Sequence, residues 1–376
     1  MKTMHDAMGN LGALQQAIQR SPYDAVVAGS PENVRYTGDV MISTQNAIRD
    51  RLAFIVWPKG SDPIFILCRV EEGYVRANSW IEDIRSFKEF VTSPIDLLAD
   101  VLTELGLASG QVAMELEYLG AKYERHLMQR LPQLQLGTAE PIFHAARMYK
   151  TPKEIATLQH GYRGTAKAMF ATFVTATLGE DEFSLSRRLA NAILLSGAET
   201  VAFNHINGGP NTGYPHASPT HYQLKSGDML KADSGGFYND YYSNVGRTAK
   251  MGKPSAKELD LWVRLRAIHH EIADMLRPGR TGRELFARAT ELHAQHGIPF
   301  PYAHNGHGIG LSVHEHPLIS PHEEFEYAPG MVSTVETRAR WVGEAGYHME
   351  DLYLVTDGAP VLLSDAFDNE EILVVV

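Results

Sequence analysis

The sequence predicts an α+β protein in two parts, a mixed α/β domain over residues 1–150 and a second domain over residues 151–376. Three observations support this. Short β-rich runs alternate with amphipathic helical patterns in the first part. In the second part, β-rich stretches near residues 200–250 and 300–376 follow or enclose helical patterns, which places strands at the centre and helices outside. The 376 residues are also enough for two domains with a large buried core.

The strands of the first domain are predicted by three apolar runs, each bounded by Gly, Pro or polar residues. They are "DAVVAG" (24–29), "LAFIVW" (52–57) and "PIFILC" (63–68). The segment "SPIDLLADVLTELG" predicts a helix with Pro94 at its first position. No convergent set of catalytic side chains is found in this domain, so we interpret it as structural or as a lid on the other domain.

The domain boundary is predicted near "ARMYKTPKEIATLQHG". Thr151 is expected to cap a long helix that begins at Pro152, and Glu154 completes a capping box. A helix over "SLSRRLANAILLSG" follows, and then the first β-rich stretch. Two later helices are predicted to begin at Ser255 and Thr281, before the final strands.

Composition excludes several classes of protein. A net charge of −11, without any Lys/Arg-rich run, argues against a nucleic-acid-binding or anionic membrane-binding surface. Cys68 is the only cysteine, so no intrachain disulfide can form, which fits a reducing cytoplasm. No apolar run approaches transmembrane length. We therefore expect a soluble, cytoplasmic protein with no nucleic-acid or membrane partner.

Candidate functional residues are concentrated in the second domain, which also holds thirteen of the 17 histidines after residue 200. Five segments carry them: "GPNTGYPHASPT" with His216, "KADSGGFYNDYYSNVGRT" with Asp233 and Asn244, "HNGHGIGLSVHEHP" with His307 and His314, "PGMVSTVETRARW" with Glu336, and "GYHMEDLYLVT" with Glu350. Taken singly, each of these residues is typical of a paired core charge or a turn. Their combination in one domain is not.

A carboxylate inside an apolar strand is costly unless it is paired, protonated or bound to a cation. Two glutamates and one aspartate in strand patterns, with a histidine, suit a divalent metal ion held by oxygen and nitrogen ligands. Such an ion lowers the pKa of a bound water and polarises a carbonyl group. The sequence therefore predicts a divalent metal site, with Mn, Fe, Zn or Co as the candidate ions.

These motifs resemble those of the pita-bread superfamily, which includes aminopeptidase P, prolidase, methionine aminopeptidase and creatinase. The similar features are an Asp with its partner eleven residues on and then "RT", a "GHGIG…VHE" loop, "GMV…E" and "ED…LVT". The resemblance covers essentially the whole chain, because the first domain is similar to the front domain of aminopeptidase P, prolidase and creatinase. Methionine aminopeptidases lack that domain.

The resemblance implies a pita-bread fold for residues 151–376, a creatinase-like fold for residues 1–150, and a homodimer. It also implies two substrate-handling histidines, His216 and His314. The five implied metal ligands fall on Asp233, Asn244, His307, Glu336 and Glu350.

The predicted activity is hydrolysis of a C–N bond in an Xaa-Pro-type peptide or in a small amide or amidine. A water activated by the metal or by Glu336 attacks, while His216 and His314 hold the developing oxyanion or protonate the leaving nitrogen. Two alternatives of other classes stay open. One is a non-catalytic module that binds a peptide or protein, and the other is a metal-dependent lyase built on this fold.

Asn244 stands where the resemblance implies an aspartate that bridges two metal ions. It offers one neutral carbonyl oxygen in place of two oxygens and a negative charge. We therefore expect one or no firmly bound ion, held by His307, Glu336 and Glu350 rather than by Asp233. Three explanations remain: a working site with one ion, a metal-free site whose acids hold a cationic substrate, as the resemblance to creatinase suggests, or an engineered substitution that inactivates an otherwise binuclear enzyme.

Two further departures from the peptidase pattern are expected to touch the substrate pocket. His348 stands two residues before Glu350, where the peptidases usually have arginine. Ala303 stands where they usually have histidine, with His304 one place along. The "GYHMED" end is similar to that of small-molecule C–N hydrolases such as ectoine hydrolase.

Overall fold

The computed structural model describes residues 2–48 and 50–376 of the chain. Their helices and strands divide into two units, one ending at Thr151 and the other beginning at Pro152. A six-stranded mixed sheet forms the first unit, and a larger, mostly antiparallel sheet flanked by helices forms the second. The predicted α+β class is confirmed. None of the described helices is long and apolar enough to span a membrane.

The first unit alternates helices and strands along the chain. Its helices are α1 (Leu11–Arg20), α2 (Pro31–Gly38), α3 (Ser43–Ala47), α4 (Glu72–Asn78), α5 (Pro94–Glu104), α6 (Ala121–Arg130) and α7 (Glu140–Arg147). Its strands are β1 (Ala25–Ala28), β2 (Phe54–Pro58), β3 (Ile64–Cys68), β4 (Asp83–Phe87), β5 (Gln111–Met114) and β6 (Gln135–Thr138). The three predicted strands correspond to β1, β2 and β3, and α5 begins at Pro94 as expected.

The sheet of the first unit has the strand order β4-β3-β2-β1-β5-β6. The β1–β2 and β2–β3 pairs are antiparallel and the other pairs are parallel, so the sheet is mixed, as predicted. Every residue of β2 and β3 is buried, which is expected for central strands covered on both faces. Helix α5 packs on this sheet through Ile95, Leu98 and Leu102, all of them fully buried.

The second unit begins with two helices and ends in strands. Its helices are α8 (Pro152–Val174), α9 (Glu182–Leu195), α10 (Ala256–Asp274) and α11 (Gly282–Gln295). Its strands are β7 (Thr200–Gly208), β8 (Met229–Tyr238), β9 (Tyr241–Tyr242), β10 (Val245–Met251), β11 (His307–Gly308), β12 (Glu315–Leu318), β13 (Val332–Trp341), β14 (Ala345–Leu354), β15 (Val361–Leu362) and β16 (Leu373–Val375). Ser255 and Thr281 cap α10 and α11 with full capping boxes, which confirms those predictions.

The main sheet of the second unit follows the order β13-β14-β10-β8-β7, and each neighbouring pair on this path is antiparallel. The short strands β9, β15 and β16 pair with β8, β14 and β10, while β11 and β12 form a separate hairpin-like pair. Helices α8, α9 and α10 pack against β8, β7 and β13. Because side chains alternate along each strand, one face of this sheet holds the residues of the candidate site.

Candidate metal centre

Four neighbouring strands align their candidate residues in a single row across the sheet. Asp233 on β8 pairs with Gly246 on β10, Gly246 pairs with Glu350 on β14, and Glu350 pairs with Glu336 on β13. Residues opposite one another in a sheet point to the same face, so the three carboxylates converge although up to 117 positions separate them in sequence. All three are nearly inaccessible to solvent, with exposures of 0–5%.

His307 joins this row from β11, and its ring is held in a fixed orientation. Its Nδ1 donates a hydrogen bond of 2.8 Å to the Gly308 carbonyl, and its backbone N–H donates to the Thr334 hydroxyl. Its Nε2 therefore faces the carboxylates, 3.3 Å from Oε1 of Glu336 and 3.7 Å from Oε1 of Glu350. A ring nitrogen positioned by a bond on the other nitrogen is typical of a metal-binding histidine.

Asn244 lies immediately before β10 and is 6% exposed. Its side-chain oxygen has no hydrogen-bond partner among the described residues. Asn244 also lines the same cavity as Asp233 and Glu336. The structure thus brings together the five residues that the family resemblance implied, although it does not show what each of them does.

His348 lies among these residues rather than on the pocket wall where we expected it. It has no exposed surface, and it is absent from the residues that line the cavity. Its Nδ1 is 3.6 Å from Oδ2 of Asp233, and its Nε2 is 3.6 Å from Oε2 of Glu350. The sequence signal for this position was available, because residues two apart on a strand share a face and His348 is two residues before Glu350.

The donor atoms of these side chains fit a bound cation. Buried nitrogen and oxygen atoms normally have hydrogen-bond partners, and an unpaired one is costly. Seven such atoms at this point have none within residues 2–48 and 50–376: Oδ1 of Asn244, Nε2 of His307, Oε1 of Glu336, Nδ1 and Nε2 of His348, and both carboxylate oxygens of Glu350. Two sets of three ligands are close enough to share an ion: His307, Glu336 and Glu350, and Asp233, His348 and Glu350.

The two buried glutamates differ in their electrostatic environment. Burial opposes ionisation of Glu336, but the Arg338 guanidinium, 2.7 Å from Oε2, and the neighbouring His307 hold the pKa of Glu336 well below its usual range. Burial, together with repulsion from Glu336 and Asp233, raises the pKa of Glu350. These surroundings favour the ionised form of Glu336 and the protonated form of Glu350, and a cation bound nearby would favour ionisation of Glu350.

A cavity of about 320 Å³ opens onto the row of carboxylates. His216 lies at its mouth with a 64% exposed side chain, and its Nε2 is 3.7 Å from Oδ2 of Asp233. His314 packs beside His307 with ring centroids 4.2 Å apart. Both predicted substrate-handling histidines therefore border the cavity next to the candidate ligands.

His304 also reaches this cavity, with Nδ1 3.4 Å from Oε1 of Glu336. The sequence drew attention to His304 only as a neighbour of Ala303, because its exact position depends on the irregular loop before β11. Burial lowers the pKa of His304, His314 and His348 to about 4, although Glu336 acts in the opposite direction. These three imidazoles are therefore neutral near pH 7, the form in which a ring nitrogen can bind a metal ion.

Arg247 joins β10 to β14 on the side of the sheet away from the candidate ligands. Its guanidinium donates to the Glu350 carbonyl at 2.6 Å and to Oδ1 of Asp351 at 2.6 Å, and it is fully buried. Asp351 also accepts from Ser364 and approaches His269. The "RT" that follows Asn244 therefore fixes β10 against β14 at the level of Glu350.

Comparison with known proteins agrees with this geometry. The family model described as metallopeptidase family M24 matches residues 157–357, and the creatinase/prolidase N-terminal domain matches residues 11–149. An Xaa-Pro dipeptidase of Pyrococcus furiosus is 30% identical over 213 residues, which cover 56% of this chain and 61% of the relative. A probable dipeptidase PepE of Mycobacterium bovis is 26% identical over 346 residues, 91% of each chain.

The crystal structure of dipeptidase PepE from Mycobacterium ulcerans has a TM-score of 0.86, 25% sequence identity, and 97% coverage of both chains. The relatives are named as dipeptidases, which hydrolyse C–N bonds, so the predicted hydrolase is supported and neither the binding module nor the lyase is. The predicted pita-bread and creatinase-like folds are confirmed. Since the family model covers more than half of the 376 residues and the candidate metal ligands converge within it, the chain belongs to metallopeptidase family M24.

Proposed function

We propose that the protein is a metal-dependent dipeptidase that hydrolyses the C–N bond of short peptides, with Xaa-Pro dipeptides as the first candidates. One observation carries the proposal: buried nitrogen and oxygen atoms that have no hydrogen-bond partner in the described part of the chain converge next to a cavity of about 320 Å³. A cavity of this size suits a small substrate. The named activities of the Pyrococcus furiosus and mycobacterial relatives support a dipeptide as that substrate.

His307, Glu336 and Glu350 would hold the more firmly bound divalent ion, either Mn, Fe, Zn or Co. Each pair of their facing atoms is separated by the few ångströms that ligands of one ion require. When bound, such an ion lowers the pKa of a water and polarises the scissile carbonyl. Asn244 contributes at most a neutral oxygen, and Asp233 lies on the opposite side of the shared Glu350.

The chain's own residues have separate tasks in this proposal. Glu336, which Arg338 keeps ionised, also orients the attacking water and accepts its proton. His314 is neutral and borders the cavity, so its N–H donates a hydrogen bond to the developing oxyanion. His216, exposed at the cavity mouth, is placed to bind the leaving nitrogen.

A substrate panel with a matched variant tests the activity. Ala-Pro, Ala-Ala, a Gly-Pro-Ala tripeptide and prolinamide are incubated with protein reloaded with each candidate ion, and the released amino acids are quantified. We expect Ala-Pro to be cleaved fastest, and Glu336→Gln to reduce kcat by about 100-fold or more, as loss of a general base does. His221→Ala, at an 87% exposed histidine, is the control. Absence of any dipeptide hydrolysis with all four ions would overturn the proposal.

A second candidate is a metal-independent hydrolase of a small amide or amidine. The observation that favours it is charge: basic side chains lie near the three buried carboxylates of Asp233, Glu336 and Glu350. Arg338 is buried and pairs with Glu336, Arg340 is partly buried, and burial lowers the pKa of the nearby Lys231 to about 7. These cations offset part of the carboxylate charge without a metal ion, and the remaining carboxylate charge can hold a cationic substrate. Turnover of creatine or ectoine by chelator-treated protein, at the rate of untreated protein, would support this candidate over the dipeptidase.

Assembly and compartment are also proposed. We infer a homodimer from family resemblance, and sedimentation velocity at micromolar concentration should show about twice the 41.7 kDa chain mass. Only monomer at that concentration would remove the proposal. A cytoplasmic location is supported by the single buried Cys68, which leaves the fold independent of disulfides. Equal thermal unfolding temperatures with and without a thiol reductant are expected.

A further inference from the structure

We propose that His348 is a metal ligand, and that Asp233, His348 and Glu350 form a second ion site in which this imidazole replaces the carboxylate missing at Asn244. The inference rests on the proposed metal-dependent function. It changes the expectation drawn from Asn244 alone, which left the Asp233 side of the centre without enough ligands. The centre then keeps two ion sites with a different set of ligands.

One donor atom from each of Asp233, His348 and Glu350 lies within 4.8 Å of the other two, as it does in the group formed by His307, Glu336 and Glu350. Ligands bound to one ion at about 2.1 Å in tetrahedral geometry lie about 3.4 Å from each other. The Nδ1 of His348 lies 3.6 Å from Oδ2 of Asp233, whereas its Nε2 lies 3.6 Å from Oε2 of Glu350 and 3.7 Å from Oε2 of Glu336. An imidazole binds an ion through one nitrogen, so one ring nitrogen would bind the ion while the other faces a carboxylate.

Glu350 presents one oxygen to each group. Its Oε1 faces His307, whereas its Oε2 faces His348. Neither oxygen has a hydrogen-bond partner in the described part of the chain. A carboxylate with its two oxygens directed at separate ligand groups can bridge two cations, and Glu350 is the member that the two groups share.

The surroundings of His348 are built to hold an imidazole at this point. A Cβ on Gly246 would lie 2.8 Å from two atoms of the ring, so only glycine leaves it room. The His348 backbone is fixed to the Thr248 hydroxyl, which accepts from its N–H and donates to its carbonyl. Both ring nitrogens are fully buried, and neither has a hydrogen-bond partner within residues 2–48 and 50–376. A histidine that only bound substrate would need a surface open to the cavity, and His348 has none.

An imidazole in this position should alter which ion is bound. Imidazole suits Zn²⁺ and Co²⁺, whereas Mn²⁺ and Mg²⁺ favour oxygen ligands. His348 is also neutral where a carboxylate would carry a charge, so the second ion should be bound more weakly than the first. We therefore expect a Co²⁺- or Zn²⁺-preferring second site beside the site formed by His307, Glu336 and Glu350.

Metal content measures this directly. Full-length protein is stripped with a chelator, titrated with Co²⁺, passed through a desalting column, and analysed for cobalt per chain together with its visible absorption spectrum. Wild-type protein should bind two Co²⁺ ions in two steps, and His348→Gln and His348→Ala should retain only the first. His221→Ala, an exposed histidine of the same unit, should retain both. Equal stoichiometry and spectra in wild-type and His348→Gln protein would overturn the proposal.

X-ray absorption of zinc-loaded wild-type protein gives a reading that does not depend on any variant folding. If His307 and His348 each bind one ion, the spectrum should show about one imidazole per zinc. A value near one half per zinc, with two zinc ions bound, or a single bound zinc with one imidazole, would contradict a ligand role for His348. Because neither measurement uses turnover, failure to hydrolyse dipeptides would refute the proposed substrate without affecting this result.

Discussion

At the residue scale, the centre differs from a four-carboxylate site by Asn244, which supplies one neutral oxygen. Its Oδ1 is buried and has no hydrogen-bond partner among the residues that the structure describes, so it can bind a cation but adds no charge to hold one. His348 sits on the other side of Asp233 and brings a nitrogen ligand. Together, Asn244 and His348 determine how strongly an ion binds on the Asp233 side of the centre and which ion is preferred there.

Restoring the carboxylate should strengthen metal binding on that side. Asn244→Asp adds a negative charge beside Asp233 and Glu350, so we expect Mn²⁺ content to rise towards two ions per chain and the affinity of the weaker site to increase by about tenfold or more. Equilibrium dialysis against Mn²⁺ measures both values. Asn239→Asp, at an exposed turn, is the control.

The effect on activity separates the explanations for Asn244. If the enzyme works with metal, dipeptide hydrolysis should increase in Asn244→Asp protein. A fall in activity, as the added ion fills the place of a cationic substrate, would favour the metal-independent candidate. Unchanged metal content together with unchanged activity would show that Asn244 does not control the centre.

The sequence could identify these residues only up to a point. Apolar strand patterns interrupted by Asp233, Glu336 and Glu350 identified the three carboxylates as candidates, and the family resemblance implied that they share one metal centre. The alternation of a strand assigns each to a face but does not place the strands side by side. The spacing of two residues could have placed His348 on the same face as Glu350, but the position of its ring depends on the space above Gly246, and that space exists only once β10 and β14 are paired. No local pattern encodes such a pairing.

At the element scale, the site depends on how β8, β10 and β14 lie side by side. Gly246 stands between Asp233 and Glu350 in the row of paired residues, and the ring of His348 fills the space that its missing side chain leaves. Arg247, the next residue, points to the other face and holds the β14 backbone and Asp351. Gly246 thus leaves room for the ligands on one face of β10, and Arg247 joins β10 to β14 on the other face.

A single methyl group on β10 should disturb the ligand face selectively. Gly246→Ala places a Cβ 2.8 Å from His348 and 2.9 Å from the Glu350 Cβ, so the imidazole has to move. We expect loss of the weaker ion while the first stays bound, measured as cobalt per chain. Gly73→Ala serves as the control, because a Cβ at that position meets no atom within 4 Å. Gly60→Ala would not be a suitable control, because Gly60 has a positive φ of 82°. If the Gly246→Ala protein retained both ions, the close contact with Gly246 would not be what determines the position of the His348 ring.

The Arg247–Asp351 pair should stabilise the fold in a pH-dependent way. Burial opposes ionisation of Asp351, but the charge of Arg247 and bonds from His269 and Ser364 hold the pKa of Asp351 well below its ordinary value. Such a carboxylate stabilises the folded state fully above its unfolded pKa of about 3.9, and the contribution is lost as pH falls through the lower folded pKa. Acid therefore weakens the native protein at this pair.

Arg247→Met should remove this contribution and leave a buried carboxylate unpaired, at a cost of about 3–5 kcal/mol in the free energy of unfolding at pH 7. Urea titrations at several pH values measure this cost, and the variant should lose less additional stability than the wild type below about pH 4. Arg163→Met, which breaks an exposed pair with Asp365, should change stability by less than about 1 kcal/mol. A similar decrease in the free energy of unfolding in both variants would contradict a special stabilising role for the buried Arg247–Asp351 pair.

At the scale of the whole molecule, the catalytic chemistry lies in the unit that begins at Pro152, where every candidate ligand is found. The class of each unit followed from the order of helical and strand patterns, and the two family matches cover the units separately. The order of the strands in the sheet could not be predicted from these patterns, because it depends on contacts between segments far apart in the sequence, such as β10 with β14. The substrate is the property that the sequence predicts least well, since loops such as residues 209–216 and 304–314 determine it.

The most direct test of the central claim relates catalysis to the number of ions bound. Wild-type protein is stripped of metal and reloaded stepwise with Co²⁺, and at each step the initial rate of proline release from Ala-Pro is measured together with cobalt per chain. The unpaired donors around Glu350 predict that stripped protein is inactive and that the rate rises with the ions bound, reaching its maximum at two per chain. Proline release by metal-free protein at the fully loaded rate, or no release at any cobalt content, would contradict a metal-dependent dipeptidase.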